Sequence, residues 1–501
     1  MYQPTAVIIQ GCFTWWLTHA SGAIVFEGDS TMSTSMSETL DGGFWDSVGE
    51  ALRGSRRDYT EGSVGRAILV LAVPMVLEMV MESVFAISDV FFVSKLGASA
   101  VATVGLTESW LTLVYAMAMG LAIAASAMVA RRTGERDRDG AAQAAGQGIL
   151  LSLSVAIVLG VAGAGLAPNL LHVMGASSDV LGTGTMYARV MLGGNVTIIM
   201  LFVINAIFRG AGDAAIAMRV LWLANTINIL LGPCLIFGLG PFPRLGVTGA
   251  AVATTIGRGT GALFALSRLF APGSRIDIHT RHLRLDASLI RRLSKLAWSG
   301  AVQLLIGMGS WIALIRLLST FGSNVLAGYT IGIRVIIFAL LPAAGLANAA
   351  ATMVGQALGA SKPDRAEQAV RIAGWYNMIV LTFAGALLAI FAPAVAHIFT
   401  QDPAIVPFAS DALRIVACGF PFYAWGMVIS QSFNGAGDTR TPTLLNVVVF
   451  WCWEIPLAYV LAIRLGMGPR GIYVAIAIAF STYAVAGALV FRRGTWKNRR
   501  L

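Results

Sequence analysis

Twelve apolar stretches of about 20 residues or more, the length that crosses a hydrocarbon core, follow one another from residue 67 to residue 491. They span 67–93, 100–128, 141–167, 180–208, 214–238 and 246–270, then 293–318, 325–350, 366–392, 408–433, 439–463 and 471–491. Inside a bilayer each backbone polar group must be satisfied within the membrane, which leaves helices as the spanning element for segments of this length. The sequence therefore predicts an all-α integral membrane protein with twelve transmembrane helices. Composition agrees: 57% of residues are hydrophobic and 12% charged, with a mean hydropathy of +0.75.

The two sets of six are copies of one another. "FRGAGD" at Phe208 to Asp213 recurs 225 residues later as "FNGAGD" at Phe433 to Asp438. The same offset pairs Leu71 with Leu296, Gly97 with Gly322, Gly120 with Gly345, Pro168 with Pro393, Arg189 with Arg414 and Gly246 with Gly471. An even number of spans per copy makes both copies cross in the same sense. They are then related by a pseudo-two-fold axis along the membrane normal, with a cavity between them. The expected division is an N-terminal extension (1–61), an N-lobe (62–271), a linker (272–292), a C-lobe (293–491) and a basic tail (492–501).

Net charge of +10 would suit a nucleic-acid partner, but 31 of the 35 basic residues are Arg, gathered between the apolar runs. No nucleic acid is expected. Segments on the side of the N-terminus hold 26 Lys and Arg, the opposite side holds Lys95, Arg244, Arg464 and Arg470, and Arg189, Arg258, Arg316, Arg334 and Arg414 lie within spans. By the positive-inside rule both termini are cytoplasmic, in a multi-pass protein of the cell (inner) membrane. Residues 1–61 read as a flexible extension, or as an over-called reading frame whose true start is Met32 or Met36. The four cysteines lack C-x-x-C spacing and the five histidines offer no ligand pair, so no disulfide framework, metal or cofactor is expected. "GAGD" lacks the Lys and Ser/Thr of a phosphate loop. It reads as a turn in which Asp213 and Asp438 N-cap the fifth and eleventh helices.

Glu78, Glu82 and Asp89 stand in the first span, in "LEMVMESVFAISD". At 100° per residue they project within about 40° of one another, along a stripe about 16 Å long that Phe85 shares. A carboxylate at the bilayer centre costs about 2.5 to 3.5 kcal/mol, so the stripe must face protein or water. Glu78 and Glu82, four residues apart, are expected to titrate together, and such a group suits proton uptake and release. The alternative is a purely structural stripe paired with Arg258 or Arg189. Against it, the positions 225 residues later are Gln303, Gly307 and Leu314, so the twin helix packs without acids. Two further acids within spans are Glu108, a candidate for the same network or for helix pairing, and Glu454, expected to pair with Arg334.

These features resemble the multidrug and toxic compound extrusion (MATE) family, in its DinF-like prokaryotic branch, over residues 62–495. The resemblance rests on "SDVFFVSKLG" ending the first helix, "YARV" in the fourth, "FRGAGD" and "NGAGDTRTPT" before the fifth and eleventh, "NILLGP" in the fifth and "GVTGAAVAT" opening the sixth. It implies export of lipophilic cations by a monomer in membrane lipid, in exchange for protons or sodium. It further implies that Asp89 is the cation-coupling acid, with Tyr187, Asn228, Thr254 and, less centrally, Asn205 as an N-lobe polar network. Sodium, if used, would sit at Asp89, Asn228 and Thr254. Close relatives often carry a second acid before the fifth-helix proline, and here Gly232 precedes Pro233. That favours protons, with Glu82 supplying the missing charge. The rivals are a lipid or lipid-linked oligosaccharide flippase of the same superfamily, which would line both lobes with cations, and a membrane enzyme, for which the sequence offers no nucleophile or metal set.

Overall fold

A computed structural model describes residues 44–55, 57–271 and 274–499, and the part of the N-terminal extension before residue 44 lies outside the described residues. Among the described residues the elements are helical, with no strand. All twelve expected spans are present as helices, most of them a few residues longer than the apolar stretch. In order they are Val64–Ser94, Ala98–Gly134, Arg138–Val173, Ser178–Gly210, Ala214–Phe237 and Val247–Leu269 in the first lobe. The second lobe has Ala287–Phe321, Ser323–Gly359, Pro363–Phe399, Val406–Gly435, Arg440–Arg464 and Pro469–Arg492. Ten are individually long and apolar enough to cross a membrane, and the tenth span is a pair of helices bent by 58° that passes as one. Span 6, at 23 residues, is less apolar because it carries Arg258 and four threonines.

Within the stretch expected to be flexible, Phe44–Arg53 is a helix packed against span 1, with Ser47 and Ala51 buried and Trp45 exposed. The two "GAGD" turns behave alike: Gly212 and Gly437 take φ of +83° and +81°, which a side chain would oppose. Asp438 accepts hydrogen bonds from Thr441 N–H and Oγ1 at the start of span 11. Asp213 occupies the N-cap position of span 5 without a side-chain capping bond, so the expected cap forms at one turn only.

The first helix of each lobe lies at the lobe interface: span 1 packs on span 8 of the other lobe as well as on span 5 of its own, and span 7 packs on span 2. Repeat-equivalent glycines make room for those crossings. A Cβ on Gly120 would fall on the backbone of Ala297, and one on Gly345 would stand 2.6 Å from the Met75 carbonyl oxygen. At the end of the molecule that bears the termini, spans 2 and 8 cross symmetrically. Gly134 lies against the Gln356 carbonyl, and its equivalent Gly359 against the Arg131 carbonyl. A small cavity of about 50 Å³ sits about 12 Å inside this crossing, at 1.5 Å per residue. Its wall holds repeat partners: Arg209 and Asn434, Ala206 and Gln431, Ser126 and Ala351. The cavity therefore lies on the pseudo-two-fold axis, with the two glycine contacts between it and the basic end.

Candidate functional site

The acidic stripe of span 1 is resolved into three different environments. Glu78 is buried, and its Oε1 accepts from Arg209 at 2.6 Å and from Asn205 Nδ2 at 3.4 Å. The C-lobe repeats this contact without charge: Gln303, the equivalent of Glu78, donates to Ser430, the equivalent of Asn205, at 3.3 Å. Asn434 stands in the place of Arg209. Glu78, Asn205 and Arg209 thus occupy a position that the other lobe fills with a neutral polar set.

Glu82, one turn further along, accepts from Asn225 Nδ2 and from Arg258, both at 3.0 Å. The expected Glu78 and Glu82 pair is therefore divided, since each acid has its own arginine. Arg258 is 2% exposed and lies in an aromatic cage, with its guanidinium carbon 5.3 Å from the Phe85 ring centroid and 5.9 Å from those of Tyr115 and Phe202. Cation–π contacts of this kind are worth about 0.5 to 2 kcal/mol each and hold the planar group in place. Two of its nitrogens, Nε and one Nη, have no partner among the described residues.

Asp89, two turns beyond Glu82, makes no hydrogen bond or ion pair with any described residue. Its electrostatic neighbours are Glu108 and Arg258. Tyr187 is buried and lies in the field of Asp89, Glu108 and Tyr115. Asn228 donates to Thr254 Oγ1 at 2.8 Å, both buried, so these two residues bond each other and not Asp89. Gly232 sits beside them, where an added Cβ would meet only Asn228 Oδ1, at 3.9 Å. Among the described residues no three His, Cys, Asp or Glu side chains are grouped to hold a metal ion.

Two residues central to this geometry are not among those the sequence singles out. Arg209 follows the expected end of the fourth span, yet its side chain reaches back into the lobe to Glu78. Asn225 shares a helix face with Asn228, three residues away, and that spacing was the available signal. The expectation that Glu454 pairs with Arg334 is not met: Arg334 is exposed, with its electrostatic partner in Glu108 across the lobe interface, and Glu454 forms no ion pair.

Comparison with known proteins bears on the family of the whole chain. The MatE family model matches residues 74–234 and 301–460, once in each lobe. A probable multidrug resistance protein, YoeA, of Bacillus subtilis (strain 168) is 26% identical, the match covering 88% of this chain and 96% of the relative. A protein named FAD transporter in Shewanella oneidensis is 26% identical over 80% of this chain and 89% of its own. The solved structure of a MOP superfamily transporter from Pyrococcus furiosus superposes with a TM-score of 0.83 at 28% identity, covering 88% of this chain and 98% of that one. With both lobes matched and the twelve-helix architecture shared, the chain belongs to the MATE family of multidrug efflux transporters.

Proposed function

We propose that the protein is a secondary active antiporter of the cell membrane, with its basic end cytoplasmic, exporting amphipathic organic cations in exchange for protons. The observation that carries this reading is the contrast within one helix: Glu78 and Glu82 are each matched by an arginine, and Asp89 is not. Asp89 is then the group whose charge changes at least structural cost. Arg258 is held by Glu82 yet has unused donors in the field of Asp89. An ionised Asp89 draws on this guanidinium, and a protonated one releases it wholly to Glu82. Spans 1 and 6 therefore feel the proton as a change in their mutual attraction. A bound organic cation competes for the same negative charge, and that competition couples the two fluxes.

Organic cations are favoured over anionic cargo because the arginines in the N-lobe interior, Arg209 and Arg258, are already neutralised by Glu78 and Glu82. The name of the Shewanella oneidensis relative points to an anionic nucleotide for that protein. Protons are favoured over sodium because Gly232 supplies no carboxylate oxygen before the fifth-helix proline, and Asn228 and Thr254 bond each other and not Asp89.

The test is reconstituted protein with a fluorescent cationic dye and imposed proton or sodium gradients. The expected result is dye movement driven by the proton gradient, abolished by Asp89→Asn and impaired by Glu82→Gln. Dye movement indifferent to both gradients would sink the antiporter. Full coupling in Glu82→Gln alongside none in Asp89→Asn would remove Glu82 from the site.

A further inference from the structure

Span 11 carries an acid that the N-lobe site leaves unused. Glu454 is 1% exposed, its Oε2 is buried without a partner, and it makes no hydrogen bond with any described residue. An ionised carboxylate in such a place, with neither counter-charge nor donors, costs several kcal/mol, and the group avoids the cost by holding a proton.

The fold explains how an acid comes to be there. Span 11 is α-helical over Arg440–Asn446, π-helical over Val447–Glu454, α-helical over Ile455–Tyr459 and π-helical again over Val460–Arg464. By the 225-residue register, Trp453 is the equivalent of Asn228, but Trp453 is 45% exposed and Glu454 is buried. A π turn accommodates one residue more than an α turn, so the inward-facing position slips by one. Glu454 thereby takes the place in the C-lobe that Asn228 holds in the N-lobe. The equivalent of Arg258 is Tyr483, which removes the counter-charge.

The surroundings select the ligand. Tyr423 stacks on Phe480 at 4.0 Å and Phe450 on Tyr483 at 5.2 Å, so the neighbourhood is built of aromatic rings, which suit a neutral, protonated carboxyl better than a charged one. The ionisable groups facing Glu454 are Tyr329 of span 8 and Tyr423 of span 10. Tyr473 and Tyr483 of span 12 lie behind them in ring contact. Span 7 places Arg316 toward the same end, exposed and without electrostatic contact to Glu454. Asp411 of span 10 is occupied by Arg470 at 2.7 Å.

We propose that Glu454 is a second proton-carrying group, resident in the C-lobe, which holds its proton in the conformation described and releases it when the π turn of span 11 re-registers. Conversion of that turn to α-helix would rotate Glu454 by about 100°, toward the exposed position that Trp453 now holds. The coupling role rests on the antiporter reading; the proton itself does not.

The experiment is pH-dependent infrared difference spectroscopy on the purified full-length protein in lipid, alongside proton and dye flux in proteoliposomes. Glu454→Gln is the neutral isostere and is expected to keep the fold. A protonated-carboxyl band is expected in the wild type and in Asp89→Asn and is lost in Glu454→Gln, which also moves severalfold fewer protons per dye molecule. Persistence of that band in Glu454→Gln would overturn the proposal, as would loss of the band with unchanged proton flux, which would make the proton a static one. Should the wild type show no proton-driven flux, the antiporter reading falls, and a pH-dependent Glu454 band still upholds the C-lobe site. If Glu454→Gln does not fold, Tyr329→Phe tests the same point: a shifted band supports the site and an unmoved one overturns it.

Discussion

At the scale of single residues, the repeat serves as an internal control on which charges matter. Glu78 and Arg209 have neutral counterparts in Gln303 and Asn434, so the ion pair is one of two ways to fill the same position. Breaking a buried pair leaves an uncompensated charge and costs about 3 to 5 kcal/mol, whereas replacing both partners costs little. Arg209→Asn alone is therefore expected to lower thermal stability by about 3 kcal/mol, and Glu78→Gln with Arg209→Asn to recover most of it. Thermal unfolding of the purified variants in detergent measures this, and a double mutant as unstable as the single one would contradict it. The three acids of span 1 and their shared face were legible in the sequence because helical periodicity needs only local information. Of their partners, Arg258 was named there as one of two candidates and Arg209 was not, since Glu82 meets Arg258 across 176 residues and which arginine reaches which acid is decided by how the spans pack. The expected pairing of Glu454 with Arg334 fails for a different reason: the facing of Glu454 depends on a π turn, which a sequence read at 3.6 residues per turn does not show.

At the scale of elements, the glycines of spans 2 and 8 decide how closely the lobes approach. Gly134 and Gly359 each face a backbone carbonyl of the other helix, which cannot move aside as a flexible side chain would. Adding a methyl group to a packed crossing costs about 1 to 3 kcal/mol. Gly134→Ala with Gly359→Ala is thus expected to destabilise the state closed at the basic end relative to one open there. The readout is a cysteine at Ser126, which lines the axis cavity behind the crossing. In a background without the native cysteines, its modification by a water-soluble thiol reagent should rise by about tenfold, the factor that roughly 1.4 kcal/mol supplies. Unchanged labelling would mean that the crossing is not the seal. The positions of these helices were readable from length and hydropathy alone. Their contacts across the lobe interface were not, because apolar stretches of equal length carry no record of which neighbour they choose.

At the scale of the whole molecule, both terminal segments tie the lobes together at the basic end. The stretch before span 1 accepts hydrogen bonds on its carbonyls from Arg275 at Ser55 and Arg57, from Lys362 at Thr60, and from Arg365 at Tyr59, Glu61 and Gly62. Lys362 and Arg365 belong to the C-lobe, and the stretch leads directly into the N-lobe. After span 12, Trp496 is buried against Phe491, and the Arg499 carbonyl accepts from Arg131 of span 2. An opening at this end must break the C-lobe contacts, so Lys362→Ala with Arg365→Ala is expected to raise labelling of the Ser126 cysteine and to speed substrate entry from the basic side. Part of the same tie is an acid. Burial would raise the carboxyl of Asp58, but its hydrogen bonds from Thr60 and its contact with Arg136 prevail and hold it below the ordinary carboxylate range. A group depressed in the folded state contributes stability above its unfolded value, about 3.9 for Asp, and loses it as pH falls through the folded one. Asp58 is 43% exposed, so its share is small. Labelling, normalised to the loss of reactive thiolate followed on a free cysteine, should therefore stay constant from neutral pH down to about 4 and increase only below it, while in Asp58→Asn that acid-dependent rise should be absent. A rise that begins near neutral pH would place the controlling titration elsewhere than in this tie.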